Sequence, residues 1–239
     1  MQPKLEPTTA EKAEAVLAWL QREGSQAGRD SMARFAIPSD HAVGVSVGRL
    51  RKYAKQLRTD HALAAALWAS GVHEARLLAT FIDDPAQVSV AQMDRWVSDF
   101  DNWAICDTAC FALFDHVPQA WGRLVPWARR RDEFGKRAAF ALLWSLSVHD
   151  KHAGDPAFLD ALPLIEAAAT DERHFVKKAV NMALRAVGKR NDVLHTACAA
   201  LAQRLAAADD ATARWIGKHA LQELGGASVT RRLAAKRGR

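Results

Sequence analysis

Apolar positions along the 239-residue chain recur at intervals of three and four in almost every segment, and strict alternation is almost absent. A period near 3.6 gathers such positions on one face of a helix, whereas a half-buried strand needs a period of two. The pattern therefore predicts a succession of amphipathic helices. "TTAEKAEAVLAWLQREG" opens with Thr8 three residues ahead of Glu11, a capping-box spacing, and stops at Gly24. A basic helix is expected from Ser46 in "SVGRLRKYAKQLR" and an Ala-rich one from Asp60 to Gly71. "HEARLLATFIDDP" follows, broken at Pro85, and "SVAQMDRWVSDF" sets Ser89 three before Gln92, a second capping box. "NWAICDTACFALFDHVP", "AWGRLVPWARR", "EFGKRAAFALLWSLSVHD" and "PAFLDALPLIEAAAT" come next. Three more segments between 171 and 226 bring the count to about a dozen helices of ordinary length.

No Ser/Gly linker or low-complexity block interrupts this series. One domain is expected over residues 1–225, followed by a basic tail, 226–239, that is expected to fray. Two helices per ~35–45 residues is the cadence of HEAT-type α-solenoids, in which antiparallel helix pairs stack side by side. The fold class expected is all-α, with a compact irregular bundle as the alternative. In a solenoid one face of the stack forms a concave surface, and ligands bind there.

Composition narrows the partners. The chain is 49% hydrophobic, enough for a sizeable core, and its formal charge is +6. That excess suits a polyanion without identifying one. Three cysteines, Cys106, Cys110 and Cys198, provide no disulfide framework and point to a reducing compartment. Cys106 and Cys110 stand one helical turn apart, but no zinc-ligand spacing follows them, so small buried apolar residues is the favoured reading. The N-terminus lacks the apolar core of a secretory signal, and no run approaches the ~20 apolar residues a membrane span needs. A soluble intracellular protein is expected.

Three places combine residue types that neither a core nor a solvated face would select. In "DNWAICD", Trp103 precedes Asp107 by four, so a helix would stack indole and carboxylate on one side. A packed core ring beside a capping or ion-paired acid is the ordinary explanation. A site that handles positive charge would use both. From Arg173 to Gly188, Phe175, Ala179, Ala183 and Ala186 define a buried face, while Lys178, Met182, Arg185 and Lys189 form a separate stripe fit for a polyanion or simply for solvent. After Glu133, the residues Ala139, Leu142, Leu143 and Leu146 supply a core face, and Arg137, Ala141 and Trp144 lie on another side. Arg137 is a candidate phosphate clamp, because a guanidinium makes bidentate contacts, or a partner of Glu133 one turn back. His149 and His152 read as surface residues without a third metal ligand. No Gly-rich phosphate loop, nucleophile elbow or H-E-x-x-H motif occurs.

"NWAICD", "KRAAFALLWSL" and "FVKKAVNMALRAVGKR", in that order, resemble the AlkD family of bacterial DNA alkylation-repair glycosylases. "MARFAIPSDHAVGVSVGRLRKYAK" resembles the N-terminal segment of the same family, and the likeness runs from about Ser31 to Gly225. The resemblance implies an α-solenoid of HEAT-like helix pairs holding duplex DNA in a basic concave cleft. It implies hydrolysis of the N-glycosidic bond of cationic N3- and N7-alkylated purines without metal, cofactor or membrane, by a monomer in the cytoplasm at the nucleoid. Trp103, Asp107 and Arg137 match the family's catalytic residues, while Phe35, Trp144, Lys178, Met182, Arg185 and Lys189 are the expected DNA contacts. The likeness breaks at two of these, where Met182 replaces a tryptophan and Phe35 a tyrosine. Trp144 is a candidate to supply the missing ring. A HEAT-type DNA-binding protein without chemistry and a protein-interaction scaffold are the competing functions.

Overall fold

Eight of the helices begin where a short polar side chain satisfies unpaired N–H groups of the first turn. In the computed structural model, which describes residues 6–237, Thr8, Ser25, Asp60, Ser89, Asn102, Asp132, Asn191 and Asp210 all do so. No strand occurs among the described residues, so the all-α class expected from periodicity is the one observed. None of these helices is long and apolar enough to cross a membrane.

The helices group into two compact units, Met1–Pro118 and Gln119–Arg239, although no linker composition marks the join. The first holds α1 (Thr9–Glu23), α2 (Gln26–Ala33), α3 (Val47–Leu57), α4 (His61–Ala69), α5 (His73–Ile82), α6 (Val90–Ser98) and α7 (Trp103–Ala112). Its centre is α5, which packs against α1, α3, α4 and α7. Leu77, Leu78 and Ile82 on α5 are all but fully buried, each contributing on the order of 1.5–3 kcal/mol. Beside them Trp68 and Trp96 stack nearly parallel, with ring centroids 3.9 Å apart.

The second unit holds α8 (Leu124–Ala128), α9 (Glu133–His149), α10 (Asp155–Ala167), α11 (His174–Val187), α12 (Asp192–Ala206), α13 (Ala211–Leu224) and α14 (Ala227–Arg237). Helix α9 is buried along most of its length and packs on α8 and α11, and α11 also meets α13. Helices α12 and α13 approach closely at Gly217, where a Cβ would lie 2.3 Å from the Ala206 nitrogen.

Several local expectations change in three dimensions. The Thr8–Glu11 capping box forms completely. At Ser89 only half of one forms: its hydroxyl accepts from the Gln92 N–H, but the Gln92 amide donates instead to Asp83 at 2.7 Å. Buried Asp83 needs that donor more than an exposed N-cap does. Helix α2 was not foreseen, since it is short and buries no residue. "AWGRLVPWARR" divides into a 3-10 turn, Ala120–Arg123, and the short α8. The segment expected to fray forms α14 and buries Val229 and Leu233. All three cysteines are buried, and burial pushes the Cys110 thiol well above its ordinary value and Cys198 to about 12. Such thiols are inert small apolar residues, as expected.

Candidate active site

In the first unit the Asn102 side chain accepts from the N–H groups of Ala104 and Ile105, both at 3.0 Å. This cap fixes Trp103 as the first residue of α7, with Asp107 one turn later. Both side chains are half-buried and line one cavity of about 540 Å³. The spacing in the sequence and the geometry agree: ring and acid share a face, and that face borders a void rather than a packed core.

The indole is tied down from elsewhere in the chain. Trp103 Nε1 donates to the Phe35 carbonyl at 2.8 Å. The Phe35 ring is itself 60% exposed, so the main chain at position 35 orients Trp103.

The floor of the cavity comes from α5 and the loop before α3. Glu74 is 1% exposed, and its carboxylate accepts from three successive N–H groups, Val43 at 3.0 Å, Gly44 at 2.6 Å and Val45 at 3.2 Å. Gly44 adopts φ +86°, and a Cβ there would lie 2.2 Å from the Ser25 carbonyl oxygen, so glycine is required. The loop thereby wraps the Glu74 carboxylate, which lines the same cavity as Asp107. Arg49 forms an ion pair with Glu23 at the cavity's edge.

The remaining candidates lie in the second unit. Arg137 is 4% exposed, and its Nη1 donates to the Phe175 carbonyl at 2.7 Å, while Glu133 accepts from the Phe175 N–H at 3.0 Å. The two side chains together grip the first turn of α11. On α11, Ala179, Ala183 and Ala186 are buried as the periodicity requires, and Phe175 is half-buried. Lys178 is exposed, with Met182, Arg185 and Lys189 half-buried along the neighbouring stripe. That stripe runs beside α13. Lys178 Nζ sits 5.2 Å from the Trp215 ring, and Lys177 Nζ lies 5.1 Å from it. Arg185 and Lys189 share the Glu223 carboxylate, at 2.7 and 2.5 Å. Trp144 and Lys189 border a cavity of about 280 Å³ that also receives Lys151, Arg190 and Arg232.

Three participants escaped sequence reasoning: Glu74, Trp215 and Glu223. The last two had a signal. Trp215, His219 and Glu223 recur every four residues in "ARWIGKHALQELGG", an aromatic and two polar groups along one stripe of α13.

The fold and the paired aromatic and acidic groups define a helical-repeat protein with a candidate nucleic-acid site. The family profile described as "DNA alkylation repair enzyme" matches residues 16–224, so the chain belongs to that family. Among solved structures, a protein described as one of "a new family of proteins related to the HEAT-like repeat DNA glycosylases with affinity for branched DNA structures" is similar. Its TM-score is 0.70 at 22% identity, with 80% of this chain and 81% of that chain covered, which establishes the HEAT-like repeat fold. A search of curated proteins found no significant match.

Proposed function

We propose that this protein is a DNA glycosylase that releases cationic N3- and N7-alkylated purines from duplex DNA, acting as a monomer at the nucleoid without metal or cofactor. The observation carrying this reading is that Trp103 and Asp107, one turn apart on α7, border a single cavity in a chain of the DNA alkylation repair family. An alkylated purine already bears positive charge. When its glycosidic bond breaks, the bonding electrons move to the purine, which departs neutral with no proton supplied. Positive charge passes to C1′ and the ring oxygen of the sugar. The Asp107 carboxylate stabilises that oxocarbenium-like species electrostatically, and the face of Trp103 adds a cation–π contribution. Water then attacks C1′, and its proton is taken by Asp107. In this reading Arg137 is a further catalytic candidate, Lys178, Arg185 and Lys189 hold phosphates, and Phe35, Met182 and Trp144 lie against the DNA.

Asp107→Asn keeps shape and removes charge. It is expected to slow release of methylated purines from methylated duplex DNA by at least about tenfold, ~1.4 kcal/mol of transition-state stabilisation, with duplex affinity equal or tighter. Unchanged release would remove Asp107 from the mechanism. A second reading, DNA binding without chemistry, is favoured by one observation: Arg137 is buried against the Phe175 backbone. The affinity of the structurally similar protein for branched DNA fits it too. Under that reading wild-type protein releases no base from methylated duplex and binds junctions more tightly than linear DNA.

A further inference from the structure

Helix α14 adds a wall to the cavity of about 280 Å³ in the second unit. Val229 and Leu233, one turn apart and both buried, fix the face of α14 that meets the rest of the unit. Arg232, three residues after Val229, lies beside that face, is exposed and lines the cavity. It makes no hydrogen bond or ion pair with the described residues. It also lies beyond residues 16–224, the stretch that the family profile matches.

Three more cations line the same space: Lys151, Lys189 and Arg190. Arg190 donates from Nη1 to the Ser147 carbonyl at 3.0 Å and from Nη2 to the Ala153 carbonyl at 2.9 Å, and its guanidinium lies 4.3 Å from the centre of the Phe158 ring. Lys151 donates to the Val148 carbonyl, so both cations satisfy carbonyls in the last turn of α9. Lys189 shares Glu223 with Arg185. Capping and pairing explain where these three sit. They do not explain a fourth cation, Arg232, brought to the same space from another helix. No carboxylate lines the cavity among the described residues. Four like charges around one small space repel one another, and an anion seated there offsets the repulsion. Trp144 and Ala186 border the space too, adding an aromatic ring and apolar surface. The lining suits a compact, doubly charged anion joined to a flat or apolar body. A phosphomonoester carries about −1.5 to −2 near pH 7, whereas a phosphodiester inside a strand carries a single charge and continues on both sides.

We propose that this cavity is a terminal-phosphate site: it holds the phosphomonoester at a DNA strand end or on a free nucleotide, with the attached sugar and base against Trp144. Arg190 and Lys151, already fixed by carbonyls, form a preorganised part of the cradle, and Arg232 completes it from α14. Membership of a DNA alkylation repair family makes the strand end the expected carrier, and a free nucleotide offers the same chemistry. The site is compatible with Lys189 and Trp144 meeting DNA, adds Lys151, Arg190 and Arg232 to that contact, and does not depend on base release.

The test is fluorescence anisotropy of the full-length protein with DNA hairpins of one sequence, labelled in the loop and ending in a 5′-phosphate, a 3′-phosphate or hydroxyls alone. A terminal phosphate at one of the two ends should tighten binding at least about fivefold over the hydroxyl hairpin. Thymidine 5′-monophosphate, with thymidine as control, is the competitor that separates the sources. Displacement by the monophosphate alone extends the site to free nucleotides, and an end preference without displacement confines it to strand ends. Arg232→Ala should abolish either effect, with an unchanged melting temperature and affinity for the hydroxyl hairpin within about twofold. Arg232→Lys, which keeps the charge, should retain most of it. Wild-type protein that shows neither effect overturns the proposal, and so does an effect that persists undiminished in Arg232→Ala. The glycosylase reading fails separately. A terminal-phosphate preference in a protein that releases no base from methylated duplex leaves this site standing, and base release without that preference removes the site alone.

Discussion

Replacing Glu74 by glutamine should destabilise the first unit by ~2–4 kcal/mol, although the two side chains are nearly isosteric. The carboxylate receives three N–H groups: Oε1 accepts from Gly44 and Val45, and Oε2 accepts from Val43. Glutamine has one acceptor oxygen. Placed toward Gly44 and Val45 it keeps those two bonds, now without charge assistance, and turns its NH₂ against the Val43 N–H. One charge-assisted bond is lost, ~1.5–3 kcal/mol, and one buried donor is left unsatisfied, a further ~1–3 kcal/mol. The amide costs less to bury than the carboxylate and offsets part of this. Glu74→Ala leaves all three donors unmatched and should cost more. Urea denaturation measures the total, and amide hydrogen exchange at residues 43–45 localises it. A loss within about 0.5 kcal/mol, the ordinary range for uninvolved positions, with unchanged protection of those amides, would refute the view that Glu74 organises the loop bordering the cavity.

Met182→Trp should leave the melting temperature unchanged and give equal or faster base release from methylated DNA, because a half-buried position on α11 tolerates a larger ring. Overpacking a core would instead lower stability by ~1–3 kcal/mol. Glu223→Gln frees Arg185 and Lys189 from the carboxylate they share. Each partly exposed pair holds ~0.2–1 kcal/mol, so DNA affinity at low salt should rise roughly two- to thirtyfold. The log–log salt slope should steepen by about 0.9 for each added phosphate contact; an unchanged slope would place these cations away from DNA. Asp171 is held well below the usual carboxylate range, first by its hydrogen bonds from Arg173 and then by Lys136. A depressed folded value makes its contribution complete above the unfolded carboxylate pKa near ~3.9 and lost as pH falls toward the folded one. Asp171→Asn should therefore flatten the acid side of a melting-temperature profile, and parallel profiles would contradict this.

Periodicity alone carried the all-helical class, because nearly every helix buries one face, as on α11 with Ala179, Ala183 and Ala186. It missed α2, which has no buried residue to create a period. The juxtaposition of Trp103 and Asp107 was legible because it is local, four residues on one helix. What escaped was non-local. The acceptor for Trp103 lies 68 residues away, and Glu74 meets its donors about 30 residues back along the chain. Arg137 and Glu133, neighbours on α9, both also reach across to Phe175. Gln92 likewise left its local role for Asp83. Each miss follows one rule: a polar side chain that becomes buried answers to whatever the fold brings near it, which spacing along the chain does not encode.

The tether of Trp103 to a carbonyl oxygen changes how this site can vary over time. An orientation held by a side chain can be lost through a single codon, whereas every amino acid brings the same carbonyl oxygen to position 35. The residue there can drift through tyrosine, phenylalanine or others while the indole keeps its anchor. Insertions or deletions between α2 and α3 would instead carry the acceptor away. Heritable change in this site should therefore be written in the length of that loop rather than in its spelling.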